Sequence, residues 1–336
     1  TMKKVICMFL FLGIISSLIS QESISLNALD SLKTILNREL KATEPGAAIL
    51  INYQGKTIFE EYYGMAHVST LESLGPKHQM GIASMSKQFE GMAVLKLVEQ
   101  GKLSLNDDIS LYLPDLPIEE RKISIAQLLS HTSGLPELTK DSAFMEHLDQ
   151  KRSVDELIEL AFSQNLRSEP GEKYEYCNTG YTIMVKVIEK VSGMKYAKFL
   201  DQNFFKPLQM DHTYSCDYEQ DAQNIATRYI LDSSGIQVAE VMDFSNLIGG
   251  GGIVSNAQDI NKWNEALLTG HALPENYQEL WNPILLNNGE TTNYGLGMGL
   301  SAHRGHPFYY HPGMGSGMNA INLLFPDQQL GVVIIR

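Results

Sequence analysis

Strand-forming sequence lies at the two ends of this chain, and a long, mostly helical stretch separates them. Near the start, residues 47–52 and 57–63 are apolar, β-branched or aromatic runs joined by Tyr53-Gln54-Gly55-Lys56, which reads as a hairpin. Near the end, residues 295–302, 308–311, 318–325 and 330–335 carry the same signal, with Pro326-Asp327-Gln328-Gln329 as a turn. One sheet must therefore recruit strands from both ends. The economical architecture is α+β: an antiparallel sheet built from N- and C-terminal segments (about 26–83 and 290–336), flanked by helices, with an inserted mainly helical domain over about 84–289. An amphipathic helix over 26–42 opens it, since Leu29, Leu32, Ile35, Leu36 and Leu40 recur at helical spacing.

Lys3 and Lys4, an apolar run over 5–15 and then Ser16 and Ser17 read as a signal peptide covering residues 1–20, with cleavage after Ser20. The mature domain is then 21–336, secreted or periplasmic. An apolar run extended to Ile19 keeps an uncleaved anchor as the alternative. With 43% hydrophobic residues, the 336-residue chain has material for a large core. Its formal charge of -13 and the lack of any basic run disfavour nucleic acid and anionic membrane as partners. Of three cysteines, Cys7 falls in the leader, and Cys177 and Cys216 read as two buried thiols rather than a bridge.

Ser84-Met85-Ser86-Lys87 puts a hydroxyl and an amine three residues apart at the opening of a helix that is apolar on almost every side, from Phe89 to Val98, and that Gly101 ends. At that spacing both side chains share one face, so the amine can help remove the Ser84 proton. Taking the proton requires a neutral amine, and burial disfavours the ammonium form. Ser192-Gly193-Met194-Lys195 repeats the spacing, but it sits at the C-terminal end of an apolar pattern, where a hydroxyl gains nothing from free backbone N–H groups.

Tyr176-Cys177-Asn178 lies in a loop just before a helix, where a phenol of ordinary pKa about 10 can accept a proton once an ammonium favours its anion. His311-Pro312-Gly313 closes a strand signal. Proline lacks an N–H, so this strand is expected at a sheet edge, where an extended substrate can pair and the Met314 and Ser84 N–H groups can hold an oxyanion. His303, His306 and His311 are near one another in sequence but have no placed acidic or thiolate partner, so no metal or organic cofactor is expected. Gly249-Gly250-Gly251-Gly252 lacks the Gly-Lys-Ser/Thr of a phosphate loop and reads as a packed turn. His131 beside Ser130 and Ser133 reads as a structural loop.

The ordered set Ser84-x-x-Lys87, Tyr176-Cys177-Asn178 and His311-Pro312-Gly313, with 127–136 and 250–255 as family-like phrases, resembles the serine β-lactamase and penicillin-binding protein superfamily, in its class C-like branch. That resemblance implies an acyl-enzyme on Ser84, proton transfer by Lys87 and Tyr176, and Asn178 orienting the substrate amide. It also implies an oxyanion hole from the N–H groups of Ser84 and Met314, with His311 and Gly313 on the substrate's far side. Many members carry Lys where His311 stands; those with His resemble DD-peptidases, D-aminopeptidases and esterases. The expected substrates are accordingly D-amino-acid peptides of the cell wall first, small esters second and β-lactams third. Members also usually continue into a helix covering the sheet beyond the point where this sequence ends. A penicillin-binding sensor or scaffold that acylates without turnover is the rival reading.

Overall fold

The computed structural model describes residues 26–118, 121–217 and 224–336. The expected signal peptide falls outside these residues. No helix among the described residues is long and apolar enough to cross a membrane.

The expected sheet forms. Strands β1 (Ala47–Tyr53), β2 (Lys56–Tyr63), β3 (Gly299–His303), β4 (His306–Gly315), β5 (Met318–Phe325) and β6 (Leu330–Ile335) make one antiparallel sheet in the order β3-β4-β5-β6-β1-β2. The two chain ends meet at its centre, where β1 pairs with β6 from Ala48↔Ile335 to Tyr53↔Leu330. The β1–β2 turn uses positive φ at Gln54 and Gly55, which matches the right-handed twist of the strands it joins.

Alternation along β1 divides the core. Ile49 and Ile51 face one side, where they pack with Phe325 and with Leu32 of helix α1 (Leu26–Glu39). Ala48 and Leu50 face the other side and join the larger core, which includes helix α2 (Lys87–Glu99), helix α3 (Asn178–Ser192) and helix α4 (Ala257–Thr269). Burying β1 on both faces explains its unbroken apolar run.

Three local expectations change. The sheet strand predicted at 295 begins at Gly299 instead, because Gly295 and Gly297 are wedged against the backbone of Leu280 and Lys87. The mainly helical middle also holds short strands that were not read there: Tyr214–Ser215 and Ile253–Ser255 combine with Met80–Gly81 in a small sheet, and Tyr229–Asp232 pairs with Gly235–Val238. The strand carrying Pro312 is an edge only in part. β3 pairs with β4 no further than Tyr310, so β4 is interior up to that residue and open from His311 to Gly315. Pro312 therefore sits where no second ladder asks for its missing N–H.

Candidate active site

A short 3₁₀ turn, Ala83–Ser86, carries Ser84, and α2 starts at Lys87. The 3₁₀ geometry brings positions i and i+3 into register, and Lys87 Nζ lies 3.3 Å from Ser84 Oγ. Ala83 is held at φ +46, a strained conformation for a residue with a Cβ and one that aims the following serine. The other face of the turn packs against the open half of β4. A Cβ on Gly313 would come within 2.0 Å of the Ile82 carbonyl, so only glycine admits this approach.

Lys87 is fully buried, and its Nζ donates to three acceptors: Ser84 Oγ, Asn178 Oδ1 at 2.8 Å and Gly250 O at 2.7 Å. An ammonium has three N–H donors and no acceptor, so this cradle suits the charged amine rather than the neutral one expected from burial alone. Tyr176 reaches the same serine from the other side, its hydroxyl donating to Ser84 Oγ at 2.8 Å across 92 residues of sequence. Its ring lies against His131, tilted by 35° with 4.2 Å between centroids.

Lys87 and Tyr176 thus meet at Ser84 Oγ, and Asn178 joins them through Lys87 Nζ. The strand residues line the same cleft. Asn319 of β5 exchanges both backbone hydrogen bonds with Arg336, so its pairing with Met314 is of the non-hydrogen-bonded kind. The Met314 N–H and C=O consequently face the open edge, beside the Ser84 turn.

His311 lies behind this edge, buried, with Nε2 2.7 Å from the Tyr294 hydroxyl and Nδ1 2.7 Å from Pro312 O. Burial, reinforced by the nearby Lys87 charge, pushes its pKa down to about 3, so the ring is neutral. Burial likewise holds His131 neutral and keeps Tyr181 and Tyr294 as phenols. The three C-terminal histidines do not gather as ligands: His306 bonds Gln328 while His311 bonds Tyr294.

Several contributors were not singled out from sequence. Glu137, buried, accepts from the Asn178 N–H at 2.6 Å and from its Nδ2 at 2.9 Å, which turns Asn178 Oδ1 toward Lys87. The only sequence hint was its place immediately after the family-like phrase ending at Pro136. The glycine turn is packed, as expected, but it also works: the Gly250 carbonyl is a Lys87 acceptor, and a Cβ at that residue would lie 2.9 Å from Nζ. His131 does more than shape a loop, since it accepts from the Cys177 N–H and supports the Tyr176 ring. Cys177 and Cys216 are free thiols. The decoy serine, Ser192, bonds the backbone N–H and C=O of Met194.

This constellation sits in a chain whose relatives are recognisable. It is 27% identical over 316 residues to "Protein flp" of Staphylococcus aureus strain MRSA252, covering 90% of this chain and 61% of that protein. The chain therefore spans about three-fifths of the length of that relative. The penicillin-binding protein homologue from Pyrococcus abyssi, an octamer, superposes with a TM-score of 0.77 at 26% identity, over 93% of this chain and 73% of that one. D-amino acid amidase from Ochrobactrum anthropi SV3 shares the fold, with a TM-score of 0.78 at 23% identity over 90% of this chain and 88% of its own. The Beta-lactamase family model matches residues 35–335, nearly the whole described chain, and the protein belongs to that family.

Proposed function

We propose that this chain is an exported serine hydrolase that cleaves an amide or ester through an acyl group carried on Ser84. The observation that carries the reading is the double contact on one oxygen: Lys87 Nζ and the Tyr176 hydroxyl both reach Ser84 Oγ. In the mechanism, Ser84 Oγ attacks the carbonyl carbon, and its proton passes to the phenolate form of Tyr176. Lys87, as the ammonium, stabilises that anion. The N–H groups of Ser84 and Met314 hold the oxyanion. Tyr176 then protonates the leaving amine or alcohol, and a water attacks the acyl-serine by the reverse proton route. Export follows from the leader-like residues 1–20.

The cavity beside Ser84 has a volume of about 460 Å³, and its lining includes Leu138, Phe144, Met145, Leu148, Leu247 and Met318. Neither arginine nor lysine is among its described lining residues, and His311 is neutral. Such a site favours an apolar acyl group, and its lining presents no cationic side chain to a substrate carboxylate. This supports D-amino-acyl amides, amino-terminal D-peptides and short esters as substrates over β-lactams and carboxyl-terminal D-Ala-D-Ala. The likeness to a D-amino acid amidase accords with that choice.

A kinetic panel tests it: D-phenylalanine amide, a D-Ala-D-Ala peptide, p-nitrophenyl butyrate and nitrocefin. The expected order is amide and ester well ahead of the other two, with Lys87→Ala lowering each rate by about a hundredfold. Stable penicillin labelling without turnover of any member would replace this reading with a sensor.

A further inference from the structure

We propose that His67, Glu72 and His78 form a binding site for a zinc-class divalent cation, distinct from the Ser84 cleft. The three residues come from one short segment. The two-stranded pair Met65–His67 and Glu72–Ser73 sets His67 opposite Glu72, and His78 folds back onto them. One ligand atom from each lies within 4.8 Å of the others, and no other such group forms among the described residues. Two imidazoles and a carboxylate are a donor set that suits zinc with a water in the fourth position.

The surrounding hydrogen bonds orient the ligands. His67 Nδ1 lies 2.8 Å from Thr227 Oγ1, so donation there leaves Nε2 with its lone pair. His78 is buried, with Nε2 3.1 Å from Glu72 Oε1. Its Nδ1 lies between both backbone groups of Gly75, 2.9 Å from the N–H and 3.2 Å from the C=O. Moving the proton to Nδ1 gives up the bond from the Gly75 N–H and replaces it with one to Gly75 O, without turning the ring. With the proton on Nδ1, donated to Gly75 O, Nε2 is free for a metal, and no net proton is lost. This backbone-held imidazole is the arrangement that metal-ligating histidines use. Glu72 already holds a cation, since Lys77 Nζ lies 3.2 Å from the same Oε1, and Lys77 is exposed enough to swing away. His78 Nε2 and Glu72 Oε1 already stand 3.1 Å apart, close to the ligand spacing that metal–ligand bonds of about 2 Å require.

The position gives such a site consequence. His78 and Ser84 flank the strand Met80–Gly81. On the other side, Thr227 precedes Arg228, whose guanidinium donates to Ser316 O at the rim of the substrate cavity. A bound cation would clasp the strand leading to the nucleophile onto the segment that braces the rim.

The test is calorimetric titration of the chelator-treated protein with zinc chloride, paired with thermal unfolding and with the visible spectrum of the cobalt(II) form. One ion per chain, a raised Tm and tetrahedral cobalt bands are expected. His67→Ala and Glu72→Gln, at positions less buried than His78, should each weaken binding by about tenfold or more. Lys77→Ala, which removes the competing ammonium, should tighten it. Ser84→Ala should leave it unchanged, which separates this site from the hydrolase reading. Absence of saturable uptake by the wild-type chain would overturn the proposal. So would zinc affinity that His67→Ala and Glu72→Gln leave intact, since that metal would be adventitious at other histidines.

Discussion

The carboxylate of Glu137 holds Asn178 by two hydrogen bonds, to its backbone N–H at 2.6 Å and to its amide nitrogen at 2.9 Å. The relationship decides which end of the amide meets the buried lysine. With Nδ2 bound to Glu137, Oδ1 faces Lys87 Nζ. Glu137→Ala would leave those donors and the Thr139 N–H unpaired in a partly buried setting. The expected result is a loss of stability on the order of 3 kcal/mol, with kcat falling more than KM rises. Glu137→Gln, which keeps an acceptor, should restore part of both. Urea unfolding and steady-state kinetics on the same preparations check this.

Tyr176→Phe removes one hydroxyl from Ser84 Oγ and little else, because the ring still lies against His131. The residue is 36% exposed, so the folded state should lose less than about 0.5 kcal/mol. kcat/KM should fall by about a hundredfold to ten-thousandfold. Equal Tm values with that loss of rate would assign the hydroxyl to the chemistry.

Gly313→Ala introduces a Cβ where the Ile82 carbonyl leaves 2.0 Å. The strand edge must retreat from the Ser84 turn, which separates the two N–H groups proposed as the oxyanion hole. A displacement of this size should cost about a hundredfold in kcat/KM. The test is whether the burst of p-nitrophenol from an activated ester slows in the variant.

Glu90 lies one turn beyond Lys87 with both carboxyl oxygens buried and unpaired, and burial raises its pKa well above the ordinary carboxylate range. In the unfolded chain it titrates near about 4.3. Between that value and its raised native pKa the folded state keeps a proton that the unfolded chain has lost, so this group's contribution to stability falls as pH rises through the window. Below about pH 4 both states are protonated and the effect vanishes. Glu90→Gln, neutral at every pH, should accordingly gain stability relative to wild type as pH is raised from 4 to 8. A wild-type and variant difference that stays flat across that range would mean Glu90 ionises in the folded protein.

The sheet was legible because alternation and β-branched runs report burial directly: the ranges read for 318–325 and 330–335 match β5 and β6 residue for residue. Ser84 and Lys87 were legible for a similar local reason, their fixed spacing at a helix opening. What sequence could not convey was contact across the fold. The Tyr176 hydroxyl is 92 residues from Ser84, and only the resemblance suggested that they meet. Glu137 carried no pattern of its own, because its role depends on the loop that turns it toward Asn178. The Gly250 carbonyl is a backbone group, and no side-chain motif announces where a carbonyl points. Pro312 was read correctly as incompatible with a second ladder, yet the end of β3 at Gly299 decides how much of β4 is open.

Acyl-group trapping tests the central claim most directly. The protein is mixed with an activated p-nitrophenyl ester, quenched in acid within the burst, digested and mapped by mass spectrometry. The account predicts one acyl group per chain on the peptide containing Ser84, absent from Ser84→Ala. An acyl group on any other residue, or turnover that survives Ser84→Ala, would contradict it.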